Sequence, residues 1–436
     1  MTTNCDILIF VEHKDRELQT TKKLKNILEL KFGFKVVIRS SIYDPIISLV
    51  FDRPKCIISP STGFGKGSPC WLFYSLYKEN IKYINLNYEQ LISSWKGKYK
   101  SGKHIISKNK QYQCVWGQSF KKFLIDTGTK PELITVTGRL TDGYIKNLSI
   151  DETKQIKTNL RNSINILDNQ TLVFIAMTDG LAFVNEKKVK YIASQGADEV
   201  NLRKHIHKVK QEMIDLFTSL NKFLAQSGSN EYSIIVRPHP SVSIEQYKRF
   251  LKKNKVSINK QLTFSKDHSA LDWLITCDKF ITNYSTLCLD SFFLGKDTAI
   301  YRPVDSKKDN EYWYTNSGKE ITSIEDWKQF LSKPNEIEIS QEFKQKLNSV
   351  ISTDKSPFNE ICELIAVLKL NSDNSPTCKY LFLRIALCIL QSPRRTLGSL
   401  IRHFSMKSTL LNGWGVKKGL QVDYISNREI VNHEIR

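Results

Sequence analysis

Arg237-Pro238-His239-Pro240 follows directly on the β-branched run at residues 232–236, and two phosphate-seeking groups thereby stand at the end of a predicted strand. The prolines withhold backbone donors and fix φ, so the turn holds guanidinium and imidazole in defined directions. Arginine clamps a phosphate through two parallel hydrogen bonds, and histidine supplies a donor or a proton to a leaving phosphate. Further on, Thr282-Asn283-Tyr284-Ser285-Thr286 again reads as strand, turn and helix start. Hydroxyls of Ser285 and Thr286 and the first free N–H groups of that helix suit a phosphate, although an ordinary N-cap has the same appearance. Asp290, one helical turn beyond Thr286, is placed to accept from ribose hydroxyls.

A carboxylate facing such groups could take a proton from a sugar hydroxyl or steady positive charge at an anomeric carbon. Asp179, in the turn Met177-Thr178-Asp179-Gly180, is the first candidate, with Asp198 and Glu199 as rivals. In the first half, Glu12 and His13 close one strand and open a helix, a position suited to an acceptor, while acids in a first helical turn also answer the helix dipole. Ser61 and Thr62 open a Gly-rich loop on the same expected acceptor side. Its Lys66-Gly67-Ser68 misses the G-K-[ST] spacing of a P-loop, so a P-loop NTPase is not expected. There is no clear D-x-D.

These residues need sheets to carry them. Residues 6–11, 35–39, 55–59, 82–86, 113–116 and 133–136 read as short strands, the first two separated by a helical period at 15–31, the signature of a parallel sheet with crossover helices. A polar stretch at 144–169 reads as a linker. A second series opens at 171–177 and continues with a helix at 201–227, a strand at 232–236, a helix at 244–253, a strand at 262–264, a helix at 270–276, a strand at 279–282 and a helix at 287–294. The strand 298–301 closes it. The expected fold is α/β, with doubly wound domains at 1–143 and 170–372 facing across a cleft and ligands beyond the carboxyl ends of the strands. No repeat of 20 to 50 residues is evident, only a loose echo between CIISPST at 56–62 and FITNYST at 280–286.

A chain of 436 residues suits two domains, since one domain takes roughly 100 to 200. With 65 Lys and Arg against 44 Asp and Glu the net charge is +21, which favours phosphate-bearing partners. No RRM or zinc-finger signature accompanies that charge, so nucleic acid is not the expected partner. The nine cysteines are scattered without metal or disulfide spacing and read as small buried hydrophobes. No apolar run is long enough to cross a bilayer and no signal peptide opens the chain, so a cytoplasmic protein is expected. The tail at 373–436 differs: residues 374–422 hold basic but no acidic side chains, and 380–390 are apolar apart from Arg384. Such a segment suits an anionic membrane surface, or equally a C-terminal helix packed on the first domain.

With these motifs the chain resembles the bacterial surface carbohydrate biosynthesis proteins, GT-B glycosyltransferases. The resemblance rests on ILIFVEHKDREL at the start, CVWG at 114–117, VTGRLTD at 136–142, IVRPHPS at 235–241 and ITNYSTLCLDSFFLGKDTAIYRPV at 281–304, and spans residues 6–305. More distantly, the His-Pro motif followed by Ser-Thr is similar to transferases that use CMP-activated nonulosonic acids, the sialyl and Kdo types. That likeness implies a CMP phosphate held by Arg237 and His239, with Ser285 and Thr286 on phosphate or cytidine, and no metal or other cofactor. Thr178 stands where such enzymes carry the first of two acids, leaving Asp179 alone. The implied activity is transfer of a nonulosonic sugar from CMP onto a surface or lipid-linked glycan. A CDP-glycerol or CDP-ribitol phosphotransferase is the alternative enzyme, and a catalytically inactive glycan-binding subunit the alternative of another class.

Overall fold

The computed structural model describes residues 3–42, 44, 48–49, 51–61, 68–90, 109–167, 169–178, 180–194, 197–226, 231–302, 310–333, 339–368, 370 and 386. Thr62, Asp179, the Gly-rich loop at 62–67 and the tail from 373, Ala386 apart, lie outside them. Two compact units emerge: one from the described residues up to Tyr144 and again from Ser349, the other within Ile145–Asn348. Each is α/β around a six-stranded, wholly parallel sheet.

The first sheet contains β1 (Ile7–Val11), β2 (Val36–Ser40), β3 (Cys56–Ser59), β4 (Lys82–Asn85), β5 (Tyr112–Val115) and β6 (Ile134–Val136), in the order β2-β1-β3-β4-β5-β6. All five residues of β1 are buried. Ile7, Ile9 and Val11 pack with Leu24 and Leu28 of α1 (Lys14–Phe32) and with Phe358, Ile361 and Ile365 of α7 (Pro357–Val367). Leu8 and Phe10 face the other layer, with Leu72 and Phe73 of α2 (Pro69–Tyr77). A strand covered on both faces needs an unbroken apolar run, which ILIFV supplies.

The second sheet repeats the plan with β7 (Thr171–Ala176), β8 (Tyr232–Arg237), β9 (Leu262–Phe264), β10 (Lys279–Thr282), β11 (Asp297–Tyr301) and β12 (Lys319–Ile321), in the order β9-β8-β7-β10-β11-β12. Val173 and Ile175 of β7 pack on the long helix α4 (Glu199–Gln226) through Val209, Met213 and Leu216. Phe174 turns the other way and stacks on Trp273 of α5 (Ala270–Thr276), ring centroids 6.1 Å apart. In both sheets the first strand in sequence sends the chain first to one side and later to the other. That reversal opens a switch point beside β1 and another beside β7, where neighbouring loops part.

Three sequence expectations change. The second series does not close at β11, because β12 adds an edge strand, whose Lys319 and Glu320 are the charges that blunt sheet edges and make it read as loop. The stretch 144–169 is no free linker: its helix α3 (Ile150–Ser163), capped by Ser149 with Glu152, belongs to the second unit, where Arg161 reaches Asp278 at 3.4 Å. The second domain also ends before 372, since α7 buries its apolar face in the first unit.

The CVWG and VTGRLTD motifs of the resemblance serve that return. The Ser352 amide donates to the Trp116 carbonyl at 2.7 Å, and a Cβ on Gly117 would lie 2.5 Å from the Val350 carbonyl oxygen. Arg139 forms a buried ion pair with Asp142 and lies 5.5 Å from the Trp116 ring. Gly117→Ala must push backbone away from backbone, so we expect it to destabilise the first unit by about 3 kcal/mol. Urea unfolding followed by tryptophan fluorescence checks this, and an unmoved midpoint refutes it.

Candidate functional site

The RPHP and NYST segments end β8 and β10, the two strands flanking β7 in the second sheet, so both lie at its switch point together with Thr178 and Gly180. Arg237 is the last residue of β8, in register with Ala176, and is 5% exposed. Its Nη1 donates to the Asp267 carbonyl at 3.2 Å. The sequence placed Arg237 in the turn; the structure makes it a strand residue whose head is anchored.

His239 is half-buried, and its Nδ1 receives the Ser241 backbone N–H at 3.2 Å and lies 2.8 Å from the Ser241 hydroxyl. A backbone amide can only donate, so Nδ1 is an acceptor and the neutral ring carries its proton on Nε2. One face of the imidazole rests on Gly180, where a Cβ would come within 2.7 Å of Nδ1. Lys266 holds the loop from below by donating to the carbonyls of Pro240 at 2.7 Å and Val242 at 3.1 Å. The result is a fixed ring on a turn buttressed from two sides.

At the end of β10, Ser285 is half-buried and its Oγ accepts the Leu287 amide at 3.3 Å, while Thr286 is exposed and precedes α6 (Leu287–Phe293) without a side-chain cap. Asp290 sits inside α6 and is 7% exposed. Asn283 and Tyr284, to which the sequence assigns no role, bind the backbone of Thr178, two residues past the end of β7. Asn283 Oδ1 accepts the Thr178 amide at 3.0 Å, and the Tyr284 hydroxyl donates to the Thr178 carbonyl at 2.8 Å. His205 Nε2 lies 3.4 Å from the same hydroxyl.

The rivals to Asp179 hold local structure instead. Asp198 Oδ1 accepts the Asn201 amide at 2.8 Å, and Glu199 binds Arg203, which also grips Glu186 at 2.7 Å. Glu212 was not anticipated: it is 5% exposed on α4, its Oε2 accepts from Asn283 at 3.1 Å, and burial raises its pKa against the pull of Asn283, Lys208 and Arg302. Its sequence signal is a carboxylate inside the apolar stripe Leu202, Ile206, Val209, Met213, Leu216.

In the first unit Glu12 and His13 follow β1, and Ser61 follows β3, so all three flank that sheet's own switch point. The Glu12 amide donates to Glu17 Oε2 at 2.7 Å, and Glu17, fully buried, pairs with Arg16 at 2.6 Å. Burial raises the Glu17 pKa despite that pairing. His13 is the N-cap of α1 without a side-chain cap bond, and exposed Ser61 accepts the Ser59 hydroxyl at its carbonyl, 3.0 Å away.

Among the described residues no three His, Cys, Asp or Glu side chains gather as a metal site, and no helix is long and apolar enough to cross a membrane. Seven described cysteines are free and buried, and burial pushes the thiols of Cys5, Cys70, Cys114 and Cys277 up to about 12, far from nucleophilic at neutral pH.

No family model matches the chain, and no curated protein matches it either. Solved structures do. A variant of the wall teichoic acid polymerase TagF is 12% identical, with a TM-score of 0.51 over 84% of this chain and 89% of that one. The same figures hold for that variant soaked with CDPG for 15 minutes. UDP-GlcNAc 2-epimerase from Neisseria meningitidis, bound to UDP-GlcNAc, is 12% identical over 85% of this chain and 100% of that one, with a TM-score of 0.46. At such identity the likeness to TagF is one of fold: two parallel six-stranded sheets with surrounding helices, the GT-B type expected from the sequence.

Proposed function

We propose that the chain is a transferase for a cytidine-nucleotide-activated group, its donor held at the switch point of the second sheet. The observation that carries this reading is His239, locked by Ser241 and Gly180 with its proton on Nε2, beside the strand-end guanidinium of Arg237. Together they meet a leaving phosphate with one positive charge and one directed donor, and such a preset arrangement needs no reorganisation as charge develops. The transferred group is a nonulosonic sugar from CMP. An acceptor hydroxyl on a surface or lipid-linked glycan attacks the anomeric carbon, the bond from that carbon to the phosphate oxygen breaks, and the electron pair departs with CMP. The hydroxyl proton passes to a carboxylate, for which Asp179 is the candidate. Ser285 and Thr286 contribute hydroxyls to the nucleotide, and Glu12, His13, Ser61 and Thr62 belong to the acceptor. The basic, acid-free stretch 374–422 suits contact with an anionic inner-membrane surface.

A second reading, transfer of a polyol phosphate from CDP-glycerol or CDP-ribitol, is favoured by the fold likeness to TagF, which has been solved after soaking with CDPG. There the bond between two phosphates breaks and the product keeps phosphorus, so a phosphorus assay of the product separates the readings. A thermal-shift panel of CMP, CDP, UDP and GDP tests what they share. A nucleotide at a hundred times its Kd stabilises by about 2.7 kcal/mol, and we expect CMP or CDP to raise the melt while UDP and GDP do not. A shift with UDP or GDP alone overturns the cytidine assignment.

A further inference from the structure

Backbone pairing between β7 and β10 ends at Ile175 with Ile281, where the strands part. Beyond that point three successive side chains of the β10 end take over the ladder's work. Thr282 Oγ1 donates to the Ala176 carbonyl, Asn283 Oδ1 accepts the Thr178 amide and the Tyr284 hydroxyl donates to the Thr178 carbonyl. Both backbone groups of Thr178 are therefore held by neighbouring residues of one loop, two positions before the Gly180 on which His239 rests.

A primary amide works in this place in one orientation only. Its oxygen must face the Thr178 N–H, so its NH2 must find an acceptor on the other side, and that acceptor is Glu212 Oε2 at 3.1 Å. With Glu212 Oε2 taking its NH2 and the Thr178 N–H taking its oxygen, the amide is fixed against flipping. Burying a carboxylate in the apolar stripe of α4 is unfavourable in itself, with Lys208, 3.9 Å away, and Arg302 as partial counter-charges. We propose that Glu212 is a positioning residue: through Asn283 it fixes the path of the chain at Thr178, and so the seat on which His239 presents its Nε2 proton.

The nucleotide arm of the test rests on the function proposed above, whereas hydrogen exchange at the Thr178 amide does not. Asn283→Asp sets a second carboxylate against Glu212, and we expect about tenfold loss of Thr178 amide protection with a similar loss of CMP or CDP affinity by calorimetry. Adding Glu212→Gln reverses the direction of donation, because the new amide on α4 donates to one carboxylate oxygen at position 283 while the other accepts the Thr178 N–H. Both readouts should then return to within about threefold of wild type. Glu212→Met keeps the volume without the acceptor, and replacing a buried charge by a hydrophobe is commonly neutral or stabilising. That variant should fold with an unchanged melt yet lose the Thr178 protection, which a merely structural role does not predict. The proposal fails if Glu212→Met keeps wild-type protection, or if the double variant is no better protected than Asn283→Asp. Wild type that binds neither nucleotide overturns the functional reading, and exchange at Thr178 still decides the role of Glu212.

Discussion

We expect His239→Ala to lower transfer activity by at least about a hundredfold and to weaken CMP or CDP binding, while leaving the fold intact. The first half follows from the locked tautomer, since alanine offers a leaving phosphate no proton and leaves the guanidinium of Arg237, anchored on the Asp267 carbonyl, to meet it without the imidazole. The second half follows from what the ring touches: the side of Gly180 and the amide and hydroxyl of Ser241, all local contacts on a half-buried turn. Steady-state kinetics with the donor identified by the melting panel, together with a thermal melt of the variant, check both. Gly180→Ala is the companion experiment, because its methyl group would occupy the space of the imidazole and displace it without removing it. Activity should fall in that variant too, with less loss than in His239→Ala. Wild-type turnover in His239→Ala removes His239 from the donor site.

Why the site was legible in the sequence to the extent it was follows from where its parts lie. RPHP and NYST announce themselves because each stands at the end of a buried strand, and β8 and β10 are fixed by β-branched runs whose burial on both faces leaves little freedom of assignment. The pairing of those two strands around β7 is a topological fact, and alternation of strand and helix implies it through the handedness of parallel crossovers. What the residues do to one another is another matter. Asn283 stood inside a recognised motif, yet its partner Glu212 lies 71 positions earlier on α4. Nothing local in sequence states that the two meet, although a carboxylate in the apolar stripe of a long helix was a legible sign that something polar faces it. The return of α7 to the first unit was hidden for the same reason: its apolar face could cover either sheet, and its contacts with Ile7, Ile9 and Val11 are distant in sequence. Edge strand β12 was lost because the charged residues that keep an edge from pairing with another chain are the ones that otherwise mark a loop.

Asp179→Asn is expected to lower turnover by at least about a hundredfold with nucleotide affinity near wild type, the pattern of a group that acts on the acceptor proton rather than on the donor. Asparagine keeps the size and the turn-forming tendency and removes only the charge. Four other carboxylates are engaged elsewhere. Asp198 is occupied as a cap on the Asn201 amide, and Glu199 is tied to Arg203 on the solvent face of α4. Glu212 is buried and engaged with Asn283. Glu17 is buried against Arg16 and the Glu12 amide in the first unit, where its geometry is that of an α1 anchor. Asp179 stands between Thr178, held by Asn283 and Tyr284, and Gly180, held against His239, so both of its chain neighbours are fixed by residues of the donor motifs. Kinetics of Asp179→Asn beside Glu12→Gln, each paired with nucleotide calorimetry, decide the assignment. Full activity in Asp179→Asn together with loss in Glu12→Gln would move the proton acceptor to the first sheet's switch point, and Thr178 and Gly180 would then serve the nucleotide alone.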